Sequence, residues 1–209
     1  VDEAERAFSE AVEGARRADD HATLGRASNN LGVLANLRGE YERALQAKPS
    51  LRQAAVNLGV LLEKQGDAPG AAAVYQTVAR DFPEDAGSRE RLAALYRASG
   101  QTDDAWRLAR EALVRDPRSP AAHKVLAEVA LQRNELDLAK LVALRAQKLD
   151  PADPGLAFVM GQVAARQGDE AAAAVQFRKT LSLREDFLPA RHALLDAATK
   201  KGAWGGVAE

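Results

Sequence analysis

The stretch LGVLLEKQGDAPGAAAVYQTVARDFP, residues 58–83, carries one complete unit of a pattern that recurs along the chain. Gly66 suits the left-handed turn that ends a helix, because glycine has no Cβ to oppose a positive φ. Ala71 precedes Tyr75 by four residues, as side chains on one face of a second helix do. Pro83 closes the unit, since a helix rarely continues through proline. The stretch therefore predicts a helix, a tight turn and a second helix.

Two sets of punctuation residues give the pattern a period of 34 residues. The prolines and the turn residues keep the same interval: Pro49, Pro83, Pro117 and Pro151, and Gly66, Gly100, Asn134 and Gly168. Ser119-Pro120 and Asp153-Pro154 each place an N-cap residue before a proline suited to the first helical position. A fixed period between about 20 and 50 residues is typical of repeat arrays. The sequence thus predicts an array of helix pairs.

Apolar columns recur within each unit and predict which side chains are buried. In the first helix a large residue precedes a small one, as in Leu58-Gly59 and Leu126-Ala127. A small residue at this point lets two helices approach closely. We expect the following side chains to be buried where helices meet: Leu58, Leu92, Leu126, Met160, Tyr75 and Phe177.

These motifs resemble the tetratricopeptide repeat family, whose unit has about 34 residues. The resemblance divides the chain into a partial repeat, a shortened repeat, four full repeats and the start of another: residues 1–17, 22–51, 52–85, 86–119, 120–153, 154–187 and 188–209. It implies an all-α, right-handed superhelix of helix-turn-helix repeats. The family's first-helix aromatic and one closing proline are replaced in this chain, at Ala55, Arg89, His123 and Ala157, and at Glu185.

The shortened repeat is seven residues shorter than the others. From Gly39 to Pro49 there are 10 positions, whereas Gly66 to Pro83 spans 17. Seven residues are about two helical turns, so their removal keeps the buried face of the second helix and shortens it. Either the repeat has lost two turns, or a stretch is missing from the sequence and the chain is a piece of a longer array. Both explanations predict a break or an abnormally short helix between Gly39 and Leu45.

Composition and motifs argue against several functional classes. The chain carries 29 basic and 30 acidic side chains and no cysteine, which excludes disulfides, thiol catalysis and thiolate metal sites. The three histidines, His21, His123 and His192, lie far apart and form no metal-ligand pattern. No phosphate loop, nucleophile elbow or dinucleotide fingerprint is present. We expect no enzyme, no catalytic residue, no metal and no cofactor.

One basic cluster and the hydropathy bear on nucleic acid and membranes. Trp106 is surrounded in sequence by four arginines, Arg107, Arg110, Arg115 and Arg118. Such a cluster on a second helix is more often a solvated outer face than a nucleic-acid patch. No apolar run approaches the roughly 20 residues that span a bilayer. We expect neither nucleic-acid binding nor a transmembrane segment in this chain.

Amide side chains suggest a binding surface for protein partners. Asn30 and Asn57 stand just before a Leu-Gly pair, and an amide can pair with both the N–H and the C=O of an extended peptide. First helices line the concave face of such arrays. We expect a partner segment to contact ten residues there: Asn29, Asn30, Val33, Asn36, Gln53, Asn57, Val60, Glu63, Arg91 and Arg97. The family's carboxylate clamp is not expected, because Val56 and Val60 replace its lysine and asparagine.

The functional hypothesis is a non-catalytic scaffold that holds a peptide segment or helix of another protein in its concave groove. The alternatives are an RNA-binding helical repeat and a cryptic enzyme. For the asparagines alone, the alternative is that they serve in packing because they are small. Residues 29–45 and 176–195 are similar to tetratricopeptide lipoproteins of bacterial gliding-motility machinery. That resemblance implies a multiprotein motility complex and an envelope location, periplasmic or lipid-anchored, with the cytoplasm as the alternative.

Overall fold

The computed structural model describes residues 38–46 and 50–205, with side chains described as far as Ala197 and at Thr199. Every regular element in these residues is a helix. After a helical segment at residues 38–46, nine α-helices follow in order: α1 (Arg52–Gln65), α2 (Ala68–Asp81), α3 (Ala86–Ala98), α4 (Thr102–Arg115), α5 (Pro120–Gln132), α6 (Leu136–Leu149), α7 (Pro154–Arg166), α8 (Glu170–Leu183) and α9 (Leu188–Gly205).

The helices repeat with the period that the sequence predicts. The odd-numbered helices begin at residues 52, 86, 120, 154 and 188, and the even-numbered ones at 68, 102, 136 and 170. The turn between the two helices of each unit contains a residue with positive φ: Gly66, Gly100 and Gly168 at 82°, and Asn134 at 61°. Asparagine tolerates this conformation better than other side chains. The predicted left-handed turns are therefore confirmed.

Side-chain caps fix where two of the first helices begin. The Ser119 hydroxyl accepts a hydrogen bond from the backbone N–H of Ala122 at 3.0 Å. The Asp153 carboxylate accepts one from the N–H of Gly155 at 2.7 Å. Each cap satisfies an N–H that the helix leaves without a partner and contributes about 1 kcal/mol. Both predicted N-caps are confirmed.

The chain divides into two compact units, Val1–Leu95 and Tyr96–Glu209. Within the first unit, α1 packs against α2. Within the second, α4 packs on α5, α5 on α6, and each later helix on the next as far as α9. The helices in these pairs thus pack against their neighbours in sequence, as expected for an all-α solenoid of helical repeats.

A glycine on one helix faces an aromatic ring on the other helix in two of the helix-turn-helix repeats. A Cβ on Gly59 would lie 2.5 Å from the ring of Tyr75, and a Cβ on Gly161 would lie 2.5 Å from the ring of Phe177. Between them in sequence, both intermediate repeats have alanine in the two positions, Ala93 with Ala109 and Ala127 with Ala143. Ala127 and Ala143 are fully buried in one cluster. The ring of Tyr75 or Phe177 therefore leaves room only for glycine on the facing helix. Where one helix has alanine, the facing helix can also have alanine.

The predicted core is confirmed at five of its six side chains. The exposed fraction is 7% or less at Leu58, Leu92, Leu126, Tyr75 and Phe177. Met160 is only partly buried, because it packs against the edge of the cluster that contains Ala127 and Ala143. Burial at the other five fixes the register of each helix against the next.

Two replacements of the family's aromatic bond to the backbone. Arg89 is 6% exposed and donates to the carbonyls of Ala79 at 2.7 Å and Asp85 at 2.8 Å. These groups lie at and beyond the C-terminal end of α2, where carbonyls have no partner within the helix. His123 is also buried, and its Nδ1 donates to the Ser119 carbonyl at 2.7 Å. Both side chains serve packing, as expected for His123.

The break expected in the shortened repeat does not occur. Residues 38–46 form one continuous helical segment that includes Gly39. Arg38 pairs with Glu42 at 2.9 Å, and Arg43 donates to the Gly39 carbonyl at 3.1 Å. Such contacts at i,i+4 support a helix locally and offset part of the roughly 1 kcal/mol that glycine costs. The start of this helix lies outside the described residues, so its abnormal length stays a prediction.

Candidate functional site

A groove of about 220 Å³ opens in the first unit. Tyr41 contributes to it from the helical segment, and four residues contribute from α1: Asn57, Val60, Leu61 and Lys64. The α1 residues are spaced by three, one and three positions, so they share one face of the helix. An aromatic ring, two aliphatic side chains, an amide and an ammonium group therefore converge on one surface.

The Asn57 amide is held in one orientation. The Nε2 of Gln53 donates to the Oδ1 of Asn57 at 2.9 Å, one helical turn away. This bond uses one of the two lone pairs of the Asn57 oxygen and leaves the two N–H groups on Nδ2 without a described partner. Asn57 is partly buried beside the groove. It therefore offers hydrogen-bond donors to the groove.

Glu63 and Arg91 are brought together and tie α1 to α3. One carboxylate oxygen of Glu63 accepts from the Tyr75 hydroxyl at 2.5 Å and pairs with Arg91 at 3.3 Å. Burial, followed by the hydrogen bond and charge of Glu63, raises the pKa of Tyr75 well above its usual range. The hydroxyl therefore stays neutral and keeps donating at any ordinary pH. These two residues form a structural contact and are not among the residues that line the groove.

Arg97 belongs to the second unit and has a partner there. Its Nε lies 2.8 Å from a carboxylate oxygen of Glu128. Lys124, which precedes Glu128 by four residues on α5, pairs with Asp153 at 2.7 Å. Burial raises the pKa of Glu128, and the positive charges of Arg97 and Lys124 oppose that shift. The described residues predicted to bind a partner thus belong to both units.

The sequence prediction identified part of the groove and missed part of it. Asn57 and Val60 line the groove, and Gln53 orients Asn57. Four predicted residues lie outside the described part of the chain: Asn29, Asn30, Val33 and Asn36. Tyr41, Leu61 and Lys64 were missed. Lys64 follows Val60 by four and Asn57 by seven, so helical spacing could have found it.

One arginine of the basic cluster, Arg107, has its charge paired on its own helix. Arg107 pairs with Asp104 at 2.9 Å and with Glu111 at 2.8 Å. The Trp106 ring lies under the Arg133 guanidinium at 5.2 Å, where a cation–π contact stabilises the pair. These contacts favour a solvated outer face. Across residues 38–46 and 50–205, no group of three metal-ligating side chains and no helix suited to crossing a bilayer is found.

Sequence profiles and solved structures give the relationships of the chain. Profiles described as tetratricopeptide repeat match residues 38–86 and 87–129. The thermophilic TPR protein TTC0263 of Thermus thermophilus is 22% identical, with 84% of this chain and 96% of that chain covered and a TM-score of 0.64. No curated protein sequence matches significantly.

Two further solved structures share the fold. MamA from Desulfovibrio magneticus RS-1, residue 41 to the end, is 17% identical over 88% of this chain and 97% of that chain, with a TM-score of 0.60. YrrB, described as a TPR protein with an unusual peptide-binding site, is 18% identical over 90% and 98%, with a TM-score of 0.59. The profile matches show that residues 38–129 belong to the tetratricopeptide repeat family, and the 34-residue spacing of the helices continues the same repeat as far as α9.

Proposed function

We propose that the chain is a non-catalytic scaffold that binds a peptide segment or helix of a partner protein, with the α1 groove as one of its contact sites. The tetratricopeptide fold supports a role in protein–protein interaction at the level of the family. The observation that carries the finer proposal is the oriented Asn57 amide beside the apolar side chains of the groove.

The chemistry of the groove suits a peptide. A peptide carbonyl can accept from Asn57 Nδ2, because the bond from Gln53 goes to the amide oxygen and leaves both N–H donors available. Val60 and Leu61 cover an apolar side chain, and the Tyr41 ring adds contact area at low entropic cost. Lys64 places a positive charge at the same surface, which favours a partner residue that is acidic or has a free carbonyl. The likeness of fold to YrrB supports a peptide as the ligand class.

The test compares two double variants in a quantitative capture experiment. Asn57→Ala with Lys64→Ala removes the donors of the groove and leaves its apolar surface in place. Arg107→Ala with Arg110→Ala is the matched control, since it changes two polar side chains on the outer helix α4. Intact protein and both variants are used as bait, and retained proteins are quantified by mass spectrometry.

A true partner is expected to be depleted by the groove variant and retained by the control. Each lost hydrogen bond weakens the purified partner by about 0.5–1.5 kcal/mol, and more where a peptide group is left buried and unpaired. Circular dichroism should show the same helicity for all three proteins. If partners are lost with the Arg107 and Arg110 changes and kept with the groove variant, the interface is the outer face and the proposal is wrong.

A further inference from the structure

A second pocket, of about 290 Å³, opens in the second unit among α7, α8 and α9. Phe177 from α8 and Ala193 from α9 give it apolar surface, and Gln162 from α7 adds an amide. Glu170 and Asp196 contribute carboxylates from α8 and α9. All of these residues belong to the second unit, so the pocket is independent of the α1 groove.

The apolar surface of the pocket is firmly packed. Phe177 is 4% exposed and belongs to a buried cluster with Ala173 and Ala190. The Phe158 ring packs on it with centroids 5.5 Å apart. The backbone of Gly161 closes the other side, since even a Cβ there would meet the ring. The ring is therefore a fixed part of the pocket lining.

The carboxylates of the pocket have no positive partner among the side chains that the structure describes. Glu170 and Asp196 are exposed, and neither forms an ion pair with any residue that the structure describes. Arg166 also lines the pocket, but its guanidinium donates to the backbone carbonyl of Leu131 on α5. Its charge is thus directed towards the end of another helix. The pocket presents two negative charges near an aromatic edge.

We propose that this pocket accepts a lysine or arginine side chain from the partner segment, an inference that rests on the proposed function. Its volume is at the lower limit of ligand sites, which run from about 300 to 1,000 Å³, so it suits a single side chain. The aliphatic stem packs on Phe177 and Ala193, while the cationic group lies within reach of the two carboxylates. The Gln162 carbonyl can accept a further hydrogen bond.

The experiment uses an array of blocked twelve-residue peptides in a mixed alanine, serine and leucine background. The central residue is lysine, arginine, norleucine, glutamine or glutamate, and the whole chain is applied at low salt and again at about 0.5 M salt. Glu170→Gln with Asp196→Asn is the pocket variant. Glu135→Gln with Asp137→Asn is the control, because it removes two exposed acids of the same unit and includes a first-turn acid of α6, as Glu170 is of α8.

Lysine and arginine peptides are expected to be retained about fivefold or more above norleucine and glutamine peptides, as for a partly exposed ion pair. The preference should fall with added salt. It should disappear in the pocket variant and persist in the control. Equal retention of lysine and norleucine peptides, or a preference that survives in the pocket variant, overturns the inference and leaves the proposed function standing. Absence of retention for every peptide, whatever its central residue, counts against the proposed function and this inference together.

Discussion

Adding one methyl group at Gly161 should destabilise the protein, although alanine is the better helix former. The new Cβ would lie 2.5 and 2.6 Å from two ring carbons of Phe177, whereas carbon atoms in contact prefer about 3.5–4.0 Å. The ring would have to move by about 1 Å. It is 4% exposed and packed against Phe158, Ala173 and Ala190, so little room exists for that movement.

The expected loss follows from two opposing contributions. Overpacking of a close-packed site costs about 1–3 kcal/mol. Replacing glycine by alanine inside a helix stabilises it by about 1 kcal/mol. The net loss in the free energy of unfolding for Gly161→Ala is therefore about 1 kcal/mol, and about 2 kcal/mol at most.

The sign should reverse when the ring is removed. Phe177→Ala alone creates a cavity and costs about 3–5 kcal/mol. In that background Gly161→Ala has no clash and should stabilise by about 1 kcal/mol, giving the Ala-Ala arrangement found at Ala127 and Ala143. The coupling energy between the two positions is then about 1–3 kcal/mol.

Urea unfolding followed by far-ultraviolet circular dichroism measures all four proteins of this cycle. The dependence on urea should stay the same, so that midpoints report stability. Gly87→Ala on the surface of α3 is the control, because a Cβ there meets nothing within 4 Å. A Gly161→Ala protein as stable as the Gly87→Ala control, or a zero coupling energy with Phe177, would refute the pairing of glycine with the ring.

Two further predictions concern buried charge. Arg89→Ala should lower the free energy of unfolding in urea by about 3 kcal/mol, because carbonyls at the end of α2 lose charged donors. The control is Arg80→Ala, which changes an exposed side chain and should have little effect. Equal effects of the two changes would show that the Arg89 contacts are unimportant. Burial raises the pKa of Glu128 in the folded state above its usual value of 4.5. The folded state therefore binds the proton more tightly than the unfolded state does. The free energy of unfolding should fall as pH rises from about 4.5 through the raised pKa. Midpoints measured between about pH 4 and 7 should show a weaker fall for Glu128→Gln than for the unchanged protein, and parallel curves would contradict the assignment.

Helices and turns could be predicted because their signals are local. The left-handed residue at Asn134 and the N-cap at Ser119 depend on a few neighbouring residues, and each recurs at the same place in other units. Local chemistry also explains why no break is found between Gly39 and Leu45, since the i,i+4 contacts of Arg38 and Arg43 favour a continuous helix there.

The candidate sites could be predicted only in part, because they join distant residues. Asn57 and Val60 were found from their place on a first helix. Tyr41 and Lys64 complete the groove, and their contribution depends on how the helical segment at 38–46 meets α1. The contact of Glu63 with Arg91 joins residues 28 positions apart, which no spacing rule indicated.

The functional context goes beyond what a fold conveys. Amphipathic helices with similar columns occur throughout the family, and the three solved structures described above are 17–22% identical. The similarity of residues 29–45 and 176–195 to gliding-motility lipoproteins, and the envelope location it implies, stay predictions.

The match between glycine and ring also limits how this chain can be recombined. Joining α5 to α8 by a crossover between the turns at Asn134 and Gly168 would place Ala127 opposite Phe177. The reverse crossover, which joins α7 to α6, would place Gly161 opposite Ala143. The first chimera would have a collision and the second a void. A crossover between units, at Pro117 or Pro151, would keep each first helix with its own second helix. The segment that these two repeats can exchange by recombination is therefore the helix pair, and a single helix cannot be exchanged without its partner.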